Sequence, residues 1–204
     1  MSKPKVKTTP NLADTSPAHQ KAIAAGTEHF SAWQYNVADH FKDKTVEEIK
    51  LTLKETALPF AVCMENILGD FNLGTVARNC NAFGAQAMYY LGNKKVDRRS
   101  MIGVHNYTDI IWLPTVDDFV KLKEKYHVVA VDNVRGAIPI STYNFVPNTL
   151  FVFGEEGTGL TPAMQSMCQD IIYIEQRGSV RSLNVGTASG IILHEFVSKY
   201  TKGL

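Results

Sequence analysis

The sequence predicts an α/β protein built on a parallel sheet with helices on both faces. From Pro59 onward, short apolar runs alternate with segments of helical periodicity, the pattern of strands joined by crossover helices. The runs are continuously apolar, as strands covered on both faces must be. The third observation is a bound. A chain of 204 residues with 45% hydrophobic and 20% charged residues has the composition and length of one domain with a real core and room for a small appendage. The formal net charge is +1 at pH 7, so overall basicity does not announce nucleic acid, and a local patch has to supply that signal.

Residues 1–15 are polar, basic and Pro-containing and read as loose. Ser16-Pro17 reads as an N-cap followed by Pro at the first helical position, opening a helix to about Trp33 that is weakened at Gly26. Thr45-Val46-Glu47-Glu48 is a capping box, with Val46, Ile49 and Leu53 on one face. Residues 1–55 are therefore expected to form a helical N-terminal extension and residues 56–204 the main domain. Strands are expected at 60–64, 87–91, 110–113, 128–131, 150–153 and 171–174. Helices are expected at 73–83, 116–125, 161–169 and 185–200. In such a sheet the carboxyl ends of the strands are where ligands bind.

Several function classes drop out. The start has charge but no apolar stretch behind it, and no run approaches the ~18 apolar residues of a membrane span. A soluble, cytoplasmic protein with no membrane partner is expected. Cys63, Cys80 and Cys168 are odd in number, far apart and without a C-x-x-C pair, so they suggest neither zinc nor disulfides. They read as small buried hydrophobes in a reducing compartment, and no metal site is expected.

Three stretches carry chemistry. The first runs from Glu65 to Gly84, after the first strand. Asn72 reads as an N-cap and Gly84 as a C′ stop, with Leu73, Val76, Ala77, Cys80 and Phe83 as the buried stripe. Arg78 lies one turn above Gly74, and helical side chains tilt toward the N-terminus. It is expected to reach back over Gly74 toward the strand end; the alternative is a solvated surface charge. The second stretch is Gly154-Glu155-Glu156-Gly157-Thr158-Gly159-Leu160. Its spacing nearly matches a phosphate-binding loop, but Leu160 stands where that motif needs Lys. With two acids and no ammonium, the loop does not suit a triphosphate. Its glycines suggest close backbone approach to a less charged ligand, or a tight surface turn. In the third stretch, residues 174–189, a strand breaks into a polar loop holding Arg177, Gly178, Arg181, Ser182 and Asn184. A helix follows, with Ala188, Ile191, Ile192, Phe196 and Tyr200 on one face. The plain reading there is a capped helix, with Asn184 as cap and Ser182 bonded locally. No G-x-G-x-x-G follows an early strand, which argues against a Rossmann dehydrogenase.

Together these stretches resemble the SpoU, or TrmH-type, family of RNA ribose methyltransferases of the knotted SPOUT class, over residues 59–200. The motifs are Asn72-x-Gly74-x-x-x-Arg78 with Phe83-Gly84, Gly154-x-Glu156-x-x-Gly159, and Ser182-Leu183-Asn184-Val185. Each alone is weak; the three in this order, each after a strand, are specific. The resemblance implies a C-terminal trefoil knot, an exception to the rule that chains do not thread loops. It implies S-adenosylmethionine bound in the knot, largely by backbone groups, with Gly154, Ile174 and Leu183 lining the pocket. Arg78, Glu156, Ser182 and Asn184 match the catalytic site, with Asn72 in support. It also implies a homodimer, and RNA as substrate: tRNA, given this compact chain, with ribosomal RNA or a non-catalytic RNA-binding module as alternatives. One departure is visible. The family often has Ile-Pro-Met where this chain has Ile174-Glu175-Gln176, which adds a charge near the cofactor loop.

A guanidinium holds its protons too tightly to serve as a ready base. Arg78 is therefore expected to stabilise the developing ribose alkoxide and to grip phosphate. Lys94, Lys95, Arg98 and Arg99, with Arg177, Arg181 and the Lys-rich start, form an RNA surface or a solvated loop. His105, Tyr107 and Trp112 either stack on a base or pack.

Overall fold

A computed structural model gives the structure of the chain and describes residues 37–65, 70–155 and 157–202. The helix expected from Ser16-Pro17 and the basic start lie outside the described residues. By contacts the chain divides into two units, Met1–Ile49 and Lys50–Leu204. In the first, a 3₁₀ turn at Asp39–Phe41 is followed by the start of helix α1 (Val46–Glu55). The capping box forms as its residues require. The Thr45 backbone N–H donates to Glu48 Oε2 at 2.7 Å, and the Glu48 N–H donates to Thr45 Oγ1 at 3.2 Å.

Among its described residues the second unit holds seven strands: β1 (Phe60–Met64), β2 (Met88–Tyr90), β3 (Ile110–Trp112), β4 (His127–Val131), β5 (Ile138–Pro139), β6 (Thr149–Phe153) and β7 (Asp170–Tyr173). Every pairing is parallel, in the order β3-β2-β1-β6-β4-β7-β5. Helices α2 (Asp70–Ala82), α3 (Val116–Leu122), α4 (Pro162–Met167) and α5 (Val185–Lys202) connect or follow the strands. The six expected strands form to within a residue at each end. β5 was not expected: two residues carry no period, and its Pro139 can sit in a sheet only at an edge or a first position. Among the described residues it is the edge strand beside β7.

The strands bury alternate side chains on opposite faces. Phe60, Val62 and Met64 of β1 and Phe151 and Phe153 of β6 join one core with Leu73, Val76, Ala77 and Cys80 of α2 and Ile192, Leu193 and Phe196 of α5. Ala61 and Cys63, Leu150 and Val152 join the other, with Phe119 of α3 and Met164 of α4. This is the sheet covered on both faces that the continuous apolar runs predict. Phe196 is the hub on the α5 side. Its ring lies 4.9 Å from Phe60, 5.6 Å from Phe151 and 5.4 Å from Phe145. Burial of each such side chain stabilises the fold by about 1.5–3 kcal/mol. Cys63 and Cys80 are buried in these cores and Cys168 is partly buried. Burial raises all three thiols, Cys168 to about 12, so none is a ready nucleophile.

Helix α2 starts two residues before Asn72, so Asn72 stands in the first turn rather than at the N-cap. Its other end is as expected. Gly84 takes φ +73°, its N–H donates to Asn81 O, and the Ala85 N–H donates to Cys80 O. These two bonds make a Schellman stop that favours Gly at this position. No described helix is long and apolar enough to cross a membrane.

Candidate active site

The sheet order creates the site. β6 lies between β1 and β4, and β7 lies on the far side of β4. Val131 pairs with Phe153 on one side and with Ile172 on the other, so the three strands end level. A cavity of about 320 Å³ opens at their carboxyl ends, the position expected for a ligand in an open α/β sheet. Its wall includes Asp132 after β4, Gly154, Glu155 and Gly159 after β6, and Ile174, Gln176, Ser182 and Leu183 after β7. The expected pocket residues Gly154, Ile174 and Leu183 are thus together in one cavity, with Ser182.

The glycine-rich loop is held from behind. Asp132 Oδ2 accepts from the Leu160 N–H at 3.1 Å and from Gln165 Nε2 at 3.1 Å. The buried Glu65 accepts from the Thr161 N–H at 2.9 Å and the Thr161 hydroxyl at 2.6 Å, and Thr161 caps α4. Leu160, the residue that denied the loop a phosphate-binding Lys, is 3% exposed and packs in the core. A Cβ built on Gly154 would lie 2.2 Å from the Gly159 carbonyl carbon. The loop's own backbone therefore makes a close approach that by itself calls for Gly at this position. Across the cavity mouth, Asn133 Nδ2 donates to Arg181 O at 3.1 Å, joining the loop after β4 to the loop before α5.

The first and third motifs meet where α2 crosses α5. Asn184 Nδ2 donates to Asn72 Oδ1 at 2.9 Å across 112 residues of chain. Asn184 Oδ1 also accepts from the Thr187 N–H at 3.2 Å, so one side chain caps α5 and fastens α2 to it. Further along, Asn79 Nδ2 donates to Gly186 O at 2.8 Å and to Ser189 Oγ at 2.9 Å. Gly186 lets the helices close, since a Cβ there would lie 2.6 Å from Thr75. Asn72, Thr75 and Asn79 thus form a stripe of α2 that faces α5, continued just past its end by Phe83, edge-on to His194 at 6.1 Å.

Arg78 is off that stripe. It is exposed, is absent from the cavity wall and has no described partner. The space over Gly74 is not left for it. A Cβ on Gly74 would lie 2.1 Å from Ser100 Oγ, so this glycine admits the 3₁₀ turn Arg98–Met101 against α2. Ser182 is also exposed and without a hydrogen bond among the described residues, so it does not bond locally. Glu156 lies outside the described residues. The charge added by Glu175 is directed away from the cavity. Glu175 is exposed and accepts from the Ser141 hydroxyl, which holds its carboxyl below the usual range.

The basic loop splits. Arg99 bonds Asp97, Lys94 lies over the Trp112 ring at 4.9 Å, and Trp112 Nε1 donates to Gly92 O at 3.0 Å. Trp112 therefore packs as a local platform, and Tyr107 is buried. Lys95 and Arg98 are exposed.

Sequence reasoning missed Asp132, Gln165, Gln176 and Asn79. Asp132 had a signal, being the first residue past a buried strand. So did Asn79, a polar residue on α2 one turn before the Gly84 stop.

The model of the SpoU rRNA Methylase family matches residues 59–194. A 23S rRNA (guanosine-2'-O-)-methyltransferase of Acinetobacter baylyi is 26% identical over 88% of this chain and 71% of its own length. A tRNA (guanosine(18)-2'-O)-methyltransferase of Aquifex aeolicus is 26% identical over 75% of each chain. The solved structure of the SpoU methyltransferase AviRb from Streptomyces viridochromogenes, in complex with the cofactor AdoMet, superposes with TM-score 0.65. It is 25% identical and covers 76% of this chain and 63% of its own.

Proposed function

The chain belongs to the SpoU rRNA Methylase family, and from that premise we propose that it is an S-adenosylmethionine-dependent RNA methyltransferase acting on a ribose 2'-hydroxyl of tRNA. The observation that carries this reading is the Asn184–Asn72 bond beside the cavity walled by Gly154, Ile174, Ser182 and Leu183. It joins the first motif to the third, and the third forms part of the cavity wall. The cavity suits the cofactor. Its volume falls within the ~300–1,000 Å³ of small-molecule sites, its wall offers apolar Ile174 and Leu183, and the carboxylate of Glu155 matches a cation.

Gly154, Ile174 and Leu183 would hold S-adenosylmethionine, which when bound supplies a methyl group made electrophilic by its sulfonium. The chain's own part is to bring the ribose to that methyl and to manage charge. The hydroxyl loses its proton as it reacts, and water or a phosphate oxygen takes it. Arg78, exposed and free of described partners, stabilises the developing alkoxide and grips the neighbouring phosphate through its planar fork. Ser182, at the cavity wall, Glu156 and Asn184 complete the catalytic group, with Asn72 holding Asn184. We further read the segment from Ile174 through α5 as the knotted part, a reading supported by family membership and by β6 inserting between β1 and β4. Residues 1–55 form an extension to the methyltransferase domain, and the protein acts in the cytoplasm. The ribosomal-RNA reading is favoured by the Acinetobacter relative. Methyl transfer measured side by side on tRNA and on 23S rRNA fragments separates the two: tRNA is methylated, and preferential labelling of rRNA overturns that choice.

Asp132→Ala frees the glycine-rich loop from its anchor. Hydrogen bonds to a charged group contribute about 1.5–3 kcal/mol, so cofactor affinity by calorimetry falls roughly tenfold or more. Asp132→Asn keeps an acceptor oxygen and recovers most of the loss. Equal losses in both variants would show that the carboxylate acts otherwise.

A homodimer is also proposed. Of the apolar α5 positions Ile191, Leu193 and Phe196, which suggest a subunit contact, Leu193 and Phe196 are 0% exposed in this chain's own core and do not serve it, while Ile191 stays open. Support comes from Ile191 at 40% exposure and from Phe71 at 84%, apolar area that a partner would cover. Light scattering at micromolar concentration gives twice the chain mass; a monomer there refutes it.

A further inference from the structure

The loop after β7 places one side chain where no described residue answers it. Gln176 lines the cavity, and its Oε1 is buried with no hydrogen-bond partner among the described residues. Its neighbours turn elsewhere: Glu175 is exposed and bonded to Ser141, and Arg177 is exposed. Native proteins pair nearly all buried polar atoms, so an orphaned acceptor needs a reason. Gln176 belongs to the cavity wall, so a ligand seated there brings an N–H donor within reach of its amide once the side chain turns to it.

We propose that Gln176 determines cofactor specificity, its Oε1 accepting a hydrogen bond from an N–H of bound S-adenosylmethionine. This rests on the proposed function. The donor is an amine nitrogen, supplied by the adenine exocyclic amine or by the methionyl ammonium, and two ligands tell these apart. S-adenosylhomocysteine carries both groups, whereas 5'-methylthioadenosine carries only the adenine amine.

The test is calorimetry on the full chain with Gln176→Met and Gln176→Glu. Methionine has similar length and flexibility but lacks a strong acceptor. S-adenosylhomocysteine binding falls about tenfold in Gln176→Met, roughly 1.4 kcal/mol, and stays within about threefold of wild type in Gln176→Glu, which keeps the acceptor. If 5'-methylthioadenosine loses affinity equally, the donor lies on the adenosine moiety, whose exocyclic amine is its N–H group; if it does not, the donor is the ammonium. A second readout separates recognition from a structural role. Without ligand, Gln176→Met removes an unsatisfied buried acceptor, so its thermal midpoint stays level or rises. A lowered midpoint would mean that the oxygen is bonded within the protein, and it overturns the proposal. Unchanged S-adenosylhomocysteine affinity in Gln176→Met also overturns it while leaving the cofactor reading intact. Wild-type protein that binds neither ligand removes the cofactor reading and this inference with it.

Discussion

Arg78→Ala lowers single-turnover methyl transfer by about 10²–10³-fold, the cost of one preorganised donor, roughly 2.7–4 kcal/mol. Cofactor affinity stays near wild type, because Arg78 is absent from the cavity wall. Stability also changes little. The side chain is exposed and has no described partner, and such surface changes stay within about 0.5 kcal/mol. Arg78→Lys recovers little, since a point charge does not reproduce the planar two-pronged grip on phosphate and alkoxide. Rates are compared with RNA and cofactor saturating. A rate within about threefold of wild type, on a scale of roughly 1.4 kcal/mol per tenfold, would make Arg78 a solvated charge and nothing more.

Gly154→Val removes measurable cofactor binding and also lowers stability, a compound effect that a simple pocket residue would not give. The first added carbon would lie 2.2 Å from the Gly159 carbonyl carbon and 2.4 Å from the Leu160 nitrogen. Backbone atoms cannot swing aside as a side chain can, so the whole loop must shift. That shift breaks the Leu160 bond to Asp132 and disturbs Thr161 on Glu65. Overpacking of this kind costs about 1–3 kcal/mol. Calorimetry and thermal melting on one preparation check it: affinity falls at least about 30-fold, of order 2 kcal/mol, and the midpoint falls with it. An unchanged midpoint with lost affinity would mean that the valine meets the ligand directly.

The sheet was legible because residues 60–64, 128–131, 150–153 and 171–174 are continuous apolar runs of strand length, which suit a sheet covered on both faces. The two-residue β5 was not, since its pairing with β7 is set by tertiary context. The glycines show the limit of sequence reasoning more sharply. Gly74 and Gly154 both announce close approach, yet what approaches is Ser100 in one case and the loop's own Gly159 in the other. A lone sequence says that a side chain is forbidden without saying by what. Asn184 resolves in the opposite direction: the plain reading was a helix cap, and the same amide that caps α5 with its oxygen also bonds Asn72 with its nitrogen. Asp132 stayed hidden because its partners lie 28 and 33 residues away.

The central claim is the chemistry at the ribose. Purified protein is incubated with unmodified tRNA and S-adenosylmethionine labelled in its methyl group, and the RNA is then hydrolysed in alkali. Alkaline cleavage needs a free 2'-hydroxyl, so a ribose methyl protects the bond beside it. The label appears in an alkali-resistant dinucleotide and is lost with Arg78→Ala. Label released in mononucleotides would place the methyl on a base, and RNA left unlabelled by protein that binds the cofactor would deny the activity altogether; either result contradicts the account.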